Sequence, residues 1–320
     1  MSVYTVLSRE DLTRFIDRFD LGPLLRFEGI TDGLTNTIYA VRTAAGDQIL
    51  SLTESGIQGE ALPLIARIMR HLAMRGIPVP EPIANRDGEH VQMLKGRPAL
   101  LMSRLEGCQP DVIQPGHVAQ VGGMLAELHR AGIDFPEQRP NPMNPHRWSH
   151  WINRMAPTLR SDAPDALALI ESTLEQTAPL FEESGLPMGL CHADLFPDNT
   201  LFRTGALTGI LDFDFACHAH LVYDMAITLN AWCFTAEGDA DEALLNAFAR
   251  GYLQVRPVQQ AEIDAFPTAC LAAALRFAAS RLLDRCFPRA GSQVTVKDPE
   301  EYLQRIRFHQ SNDLSALFTA

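Results

Sequence analysis

Residues 189–215, GLCHADLFPDNTLFRTGALTGILDFDF, break the helical periodicity on either side of them and constrain the chain more than any other segment. Two short apolar runs, Thr200–Phe202 and Thr208–Leu211, flank Thr204-Gly205-Ala206, which reads as a tight turn. Polar residues gather just outside both runs. His192, Asp194, Asp198 and Asn199 precede the first, and Asp212 and Asp214 follow the second. A hairpin returns the chain, so two residues 18 apart, Asp194 and Asp212, can face one cleft.

The residue types suit phosphoryl transfer. Its loose transition state is stabilised mainly by positioning and charge neutralisation, so few protein groups are needed. One is a carboxylate near the accepting hydroxyl, for which Asp194 is the candidate. The others are hard oxygen ligands for Mg2+, whose shell the phosphates and water complete. Asn199 and Asp212 are those candidates. His192 reads as a structural hydrogen-bonder that orders the loop. Asp198 and Asp214 stand open between a substrate-facing role and that of a solvated turn residue.

The rest of the chain falls into two parts. Before Glu106-Gly107, strand patterns dominate: Leu24–Ile30, Thr37–Arg42, Gln48–Leu52, His90–Leu94 and Ala99–Ser103. A short helix carrying Leu12, Phe15, Ile16 and Phe19 opens the chain, started by Ser8 and Asp11 and stopped by Gly22-Pro23. A long helix over Gly59–Arg75 is inserted among the strands. After Gly107 helices prevail, one with Val118, Val121, Leu125 and Leu128 on a face, others over 240–256 and 260–286. The expectation is an α+β chain, with a small antiparallel-sheet lobe over 1–105 and a larger, mainly helical lobe over 106–320.

Bulk properties exclude several classes. Hydrophobic residues make up 46% and charged residues 21%, which supports a packed core rather than disorder. A net charge of −12 argues against a nucleic-acid partner, though a local site can still take an anionic small molecule. The six cysteines form no CxxC pair and no zinc-ligand spacing, and read as reduced thiols of a cytoplasmic protein. The N-terminus lacks the apolar run of a signal peptide, and no uninterrupted apolar stretch reaches transmembrane length, so no membrane association is expected.

At His192-Ala193-Asp194, Asn199 and Asp212 the sequence resembles the aminoglycoside phosphotransferase-like kinases, which share the two-lobed protein-kinase-like fold. The resemblance implies that Asp194 acts on the acceptor hydroxyl and that Asn199 and Asp212 bind Mg2+ with ATP as donor. A narrower likeness, to the bacterial homoserine kinases of this fold, runs in order along nearly the whole chain. It lies in Gly33–Tyr39, Arg75–Val79-Pro80, His192–Asn199, Leu229–Phe234, Ala274–Phe277 and Lys297–Leu303. It implies phosphorylation of the side-chain hydroxyl of L-homoserine, on the route to threonine. By the same resemblance Gly33 and Asn36 lie in a phosphate-covering loop, and backbone near Ser103–Leu105 meets the adenine. One departure stands out. The third strand reads Gln48-Ile49-Leu50-Ser51-Leu52, with Ser51 where most kinases of this fold carry a lysine; this also weakens Glu60 as that lysine's partner.

An amino-acid acceptor calls for an arginine and an acid at its charged end. Arg276, Arg281, Asp284 and Arg285 fall on one predicted helix, with Arg281 and Arg285 on a shared face, and Asn230 and Trp232 are further pocket candidates. Other acceptors on the same fold are choline, ethanolamine, methylthioribose and aminoglycosides. A choline pocket wants aromatics, which make up only 8% here. A nucleotide-binding pseudokinase is the non-enzymatic alternative; its support is Ser51, and the Asp194, Asn199 and Asp212 set argues against it.

Overall fold

The computed structural model describes residues 5–30, 36–54, 56–235, 238–288 and 297–319. Contacts divide these into two compact units. The first takes the chain up to Glu106 and also Gly209–Asp214; the second takes Gly107–Thr208, residues 215–288 and residues 297–319. Gly209–Asp214, which carries Asp212, thus clusters with the first unit although it belongs to the 106–320 stretch by sequence.

The first unit opens with α1, Arg9–Ile16, started by a reciprocal cap. Ser8 Oγ accepts the Asp11 N–H at 3.1 Å, and the Asp11 carboxylate accepts the Ser8 N–H at 3.0 Å. The helix stops well short of Gly22, because Arg18 and Phe19 donate back three residues, to Phe15 and Ile16, and tighten the chain into turns. Phe19 still reaches the core. Strands β1 (Leu24–Ile30), β2 (Asn36–Thr43) and β3 (Gly46–Thr53) follow, then α2 (Gly56–Ala73), β4 (Val91–Leu94) and β5 (Arg97–Ser103). They form a five-stranded antiparallel sheet in the order β1-β2-β3-β5-β4. The side-chain period of two puts Tyr39 and Val41, Leu50 and Leu52, and Ala99 and Leu101 on one face, where they bury Leu12, Phe15, Ile16 and Phe19. Each buried Val, Leu, Ile or Phe among them contributes about 1.5–3 kcal/mol by leaving water.

The second unit is mainly helical. Its elements are α3 (Pro115–Ala131), α4 (Pro145–Asp162), α5 (Pro164–Thr177), β6 (Met188–Cys191), β7 (Thr200–Arg203), β8 (Ala206–Ile210, whose last two residues cluster with the first unit), β9 (Cys217–His220), α6 (Leu221–Trp232), α7 (Glu242–Leu253), α8 (Gln260–Cys286) and α9 (Glu300–Ser311). β6 pairs with β9 and β7 with β8. Helix α6 is buried on nearly every side, so it is a central core helix rather than an amphipathic surface one. α3 and α7 approach closely because Gly122 and Gly251 lack side chains; a Cβ on Gly251 would sit 2.0 Å from the Ala119 carbonyl oxygen. α8 is long and apolar enough to cross a membrane by length and composition, although charged residues interrupt its apolar run. However, 72% of its most apolar window is buried inside the protein, which accounts for that composition by core packing.

All six cysteines are free. Burial pushes the Cys217 thiol up to about 12, and burial reinforced by the nearby Asp224 charge holds Cys191 well above its ordinary value. Both are inert as nucleophiles at neutral pH.

Candidate active site

β6 ends at Cys191, and the next three residues are His192, Ala193 and Asp194. Ala193 has φ +61°, a left-handed conformation that costs a residue with a Cβ about 1–2 kcal/mol. Partners hold it on both sides. The Ala193 N–H donates to Asp224 Oδ1 at 2.7 Å, and its carbonyl accepts from Arg276 Nη1. The kink turns the chain so that the Asp194 N–H reaches back to His192 Nδ1 at 3.2 Å. His192 is therefore the fully buried hydrogen-bond acceptor that shapes this turn.

Asp194 is gripped through both its backbone and its side chain. Asn199 Nδ2 donates to the Asp194 carbonyl at 2.8 Å and stands 3.5 Å from Asp194 Oδ2. The Phe196 N–H shares the same carbonyl at 2.9 Å. Arg276 Nη2 lies 3.5 Å from Asp194 Oδ1, and the Asp194 side chain is 18% exposed. With its amide nitrogen committed to Asp194, Asn199 keeps its Oδ1 as a hard oxygen donor, which fits a magnesium ligand.

Behind the loop runs a buried polar chain. Asp224, on α6, accepts the His192 N–H at 2.8 Å as well as that of Ala193. His129, on α3, meets Asp224 Oδ2 at 3.1 Å through Nε2 and Tyr252 Oη at 2.7 Å through Nδ1. Tyr252 accepts from Arg256 at 3.0 Å, and Arg256 pairs bidentately with Glu262 at 2.9 and 3.0 Å. Burial opposes the charge on Asp224, but the His129 hydrogen bond and charge, with the Ala193 N–H, outweigh it and hold the carboxyl below its usual range. Sequence reading did not pick out Asp224 or His129. The available signal was an acid inside the otherwise apolar α6, because such a group is kept ionised only by dedicated partners.

The remaining candidates of the second unit scatter. Asp198 lies between Asp194 and Asn199 in a short 3-10 turn, pairs with Lys297 Nζ at 3.2 Å and is about half exposed. Asn230 and Trp232, expected at the acceptor pocket, are fully buried core residues. The Trp232 indole N–H donates to the Leu195 carbonyl at 2.9 Å, and the Asn230 amide bridges the Cys270 carbonyl and His309. Arg281 is committed to α9, pairing with Glu301 at 2.5 Å and donating to the Asp298 carbonyl at 2.9 Å. Arg285, one turn on, is exposed, so the two do not share an environment.

In the first unit, Asn36 opens β2 and donates from Nδ2 to Asp214 Oδ2 at 3.1 Å. The Ile210 N–H donates to the Pro78 carbonyl at 2.8 Å, tying Gly209–Asp214 to this unit. Asp212 has φ +60° and accepts the Asp214 N–H on its side chain at 3.3 Å. Its carboxylate is a second hard oxygen donor of the kind magnesium takes. Gly33 lies outside the described residues. Ser103 ends β5, exchanging hydrogen bonds with Glu81 through its N–H at 2.9 Å and its Oγ at 2.8 Å, and Leu105 follows two residues on. Ser51 is half-buried on β3 opposite Ile38 and Leu100, on the face away from Leu50 and Leu52, and Glu60 is exposed on α2.

Comparison with known proteins shows the family. Residues 26–258 match the model of the phosphotransferase enzyme family. A homoserine kinase of Rhodopseudomonas palustris (strain BisA53) is 41% identical over 311 residues, covering 97% of this chain and 95% of the relative. One of Gluconacetobacter diazotrophicus is 40% identical over 312 residues, covering 97% of each. Among solved structures, a spectinomycin phosphotransferase in complex with ADP and spectinomycin superposes with a TM-score of 0.65 at 13% identity, covering 98% of both chains. An amicoumacin kinase in complex with AMP-PNP, Ca2+ and Ami gives 0.68 at 16% identity, covering 97% of this chain and 95% of the other. The two-lobed, protein-kinase-like fold is thus shared with kinases of quite different acceptors, and the chain belongs to the phosphotransferase enzyme family, in the group that includes these homoserine kinases.

Proposed function

We propose that this protein transfers the γ-phosphoryl group of ATP to the side-chain hydroxyl of L-homoserine, giving O-phospho-L-homoserine and ADP. The observation that carries the reading is identity of about 40% to homoserine kinases over 97% of the chain, a span in which every segment of the site lies. In this reading Asp194 orients the homoserine hydroxyl and takes its proton as the oxygen attacks the γ-phosphorus. Its support is the oriented, partly exposed carboxylate at the end of a strained and clamped loop.

Asn199 and Asp212 are the proposed ligands of Mg2+, each offering an oxygen of the type this ion prefers. When bound, the ion neutralises charge on the phosphates. Gly33 and Asn36 are proposed for the phosphate-covering loop and the Ser103–Leu105 backbone for the adenine. Asp198 is the proposed acceptor contact, supported by its place in the loop and its exposure. A division into a nucleotide-binding first lobe and a catalytic second lobe follows from these roles, and the six unpaired cysteines favour a cytoplasmic setting.

A coupled ADP-release assay with magnesium-ATP and a panel of acceptors tests the substrate. L-homoserine is expected to turn over well, and choline, ethanolamine, methylthioribose and an aminoglycoside poorly. Good turnover of one of the others without homoserine turnover would reassign the acceptor. No turnover with any would favour a pseudokinase.

A further inference from the structure

We infer that Arg276 is a positioning residue for phosphoryl transfer: its guanidinium fixes the Ala193–Asp194 peptide so that the Asp194 carboxylate is held in one orientation. The inference rests on the kinase reading above. Arg276 lies on α8, 82 residues from Asp194, and its side chain is 3% exposed. Nη1 donates to the Ala193 carbonyl and Nη2 stands 3.5 Å from Asp194 Oδ1. The guanidinium carbon lies 5.0 Å from the Phe215 ring centre and 4.6 Å from that of Phe277. A guanidinium is planar, with its donors in a rigid fork. Once one nitrogen is on a carbonyl and the plane is confined by two rings, the direction of the other is set.

The strained conformation needs this second hold. The Ala193 N–H belongs to one peptide plane and is fixed by Asp224; the Ala193 carbonyl belongs to the next, shared with the Asp194 N–H. Asp224 leaves that second plane free to rotate. Arg276 grips its oxygen while His192 accepts its N–H, so both peptides flanking a left-handed alanine are pinned. Carboxylate and guanidinium each hold one of the two peptides, and the aspartate that follows inherits its orientation.

Steady-state kinetics of Arg276→Met and Arg276→Lys with magnesium-ATP and L-homoserine test this. A displacement of about 1 Å at a reacting group costs about a hundredfold, so Arg276→Met should lower kcat by about that factor while leaving KM for ATP within twofold. Lysine carries the charge but not the fork, so Arg276→Lys should recover only part of the loss. In an Asp194→Asn background Arg276→Met should cost at most twofold more, because it acts through Asp194. An equal fall in both backgrounds, or a kcat within threefold of wild type, would overturn the inference.

A second readout needs no acceptor. In protein labelled with carboxyl-13C aspartate, the Asp194 resonance, assigned by its loss in Asp194→Asn, should move in Arg276→Met, and in Arg276→Lys if the first variant does not fold. An unmoved resonance would overturn the inference. Absence of wild-type turnover with homoserine would instead overturn the acceptor assignment and leave this measurement to decide the role of Arg276.

Discussion

His309, on α9, shows what a single buried titratable residue contributes. Burial, with the nearby Arg305 charge, lowers its pKa from 6.5 to about 3. Its Nε2 lies 2.6 Å from Asn230 Oδ1, so the neutral ring donates to that amide, whose nitrogen in turn holds the Cys270 carbonyl. The unfolded chain takes up a proton near pH 6.5 and the folded one does not until about pH 3. Between these values the unfolded state binds more protons, so this residue lowers stability as pH falls, by about 1.4 kcal/mol per unit. Replacing His309 by Gln, which can still donate to Asn230, should flatten the dependence of urea-unfolding free energy on pH between 4 and 6 by roughly that slope. An unchanged slope would show that His309 is already protonated in the folded protein. The same scale sets what was legible in the candidate site. Asp194, Asn199 and His192 stand in one short stretch, and their residue types suggested the roles proposed for them. The partners that orient them did not: Arg276 is 82 residues from Asp194, and Asp224 is 31 from Ala193. Contacts at that range leave no local pattern in a single sequence.

At the level of elements, periodicity located strands and helices because burial follows it. Leu62, Ile65, Met69 and Leu72 recur at helical spacing along α2, and all are buried. Ends were less legible, as in α1, where Phe19 keeps its burial after the helix has stopped. Asn230 and Trp232 illustrate the reverse limit: polar and aromatic groups suit a pocket or a core equally well until their partners are known. The contact between α3 and α7 was not readable, since a glycine inside a helix signals close approach without naming what approaches. Substitution of Gly251 by Ala should destabilise the protein by about 1–3 kcal/mol, because the added carbon meets the Ala119 backbone. Gly116→Ala, on α3 and with nothing within 4 Å, should be neutral or stabilising by up to about 1 kcal/mol. Thermal unfolding of the pair checks this, and equal shifts would mean that packing at Gly251 is looser than it looks.

Across the whole molecule, the change from strand-rich to helix-rich sequence at Glu106-Gly107 coincides with a boundary between compact units. The return of Gly209–Asp214 to the first unit was not legible, for it depends on contacts such as that of Asn36 with Asp214, 178 residues apart. Both pieces carry residues proposed above for the same reaction. Ser51 marks where this chain departs from the pattern that the family resemblance implies, and the Asp194 loop is clamped regardless. The most direct measurement is the initial rate of Asp194→Asn beside wild type, with magnesium-ATP and L-homoserine, together with the ATP dissociation constant of each. Loss of the base should cut the rate by about a thousandfold, within the usual range for general-base catalysis, and leave ATP binding within twofold. A variant that keeps more than about a tenth of the wild-type rate would contradict phosphoryl transfer centred on Asp194.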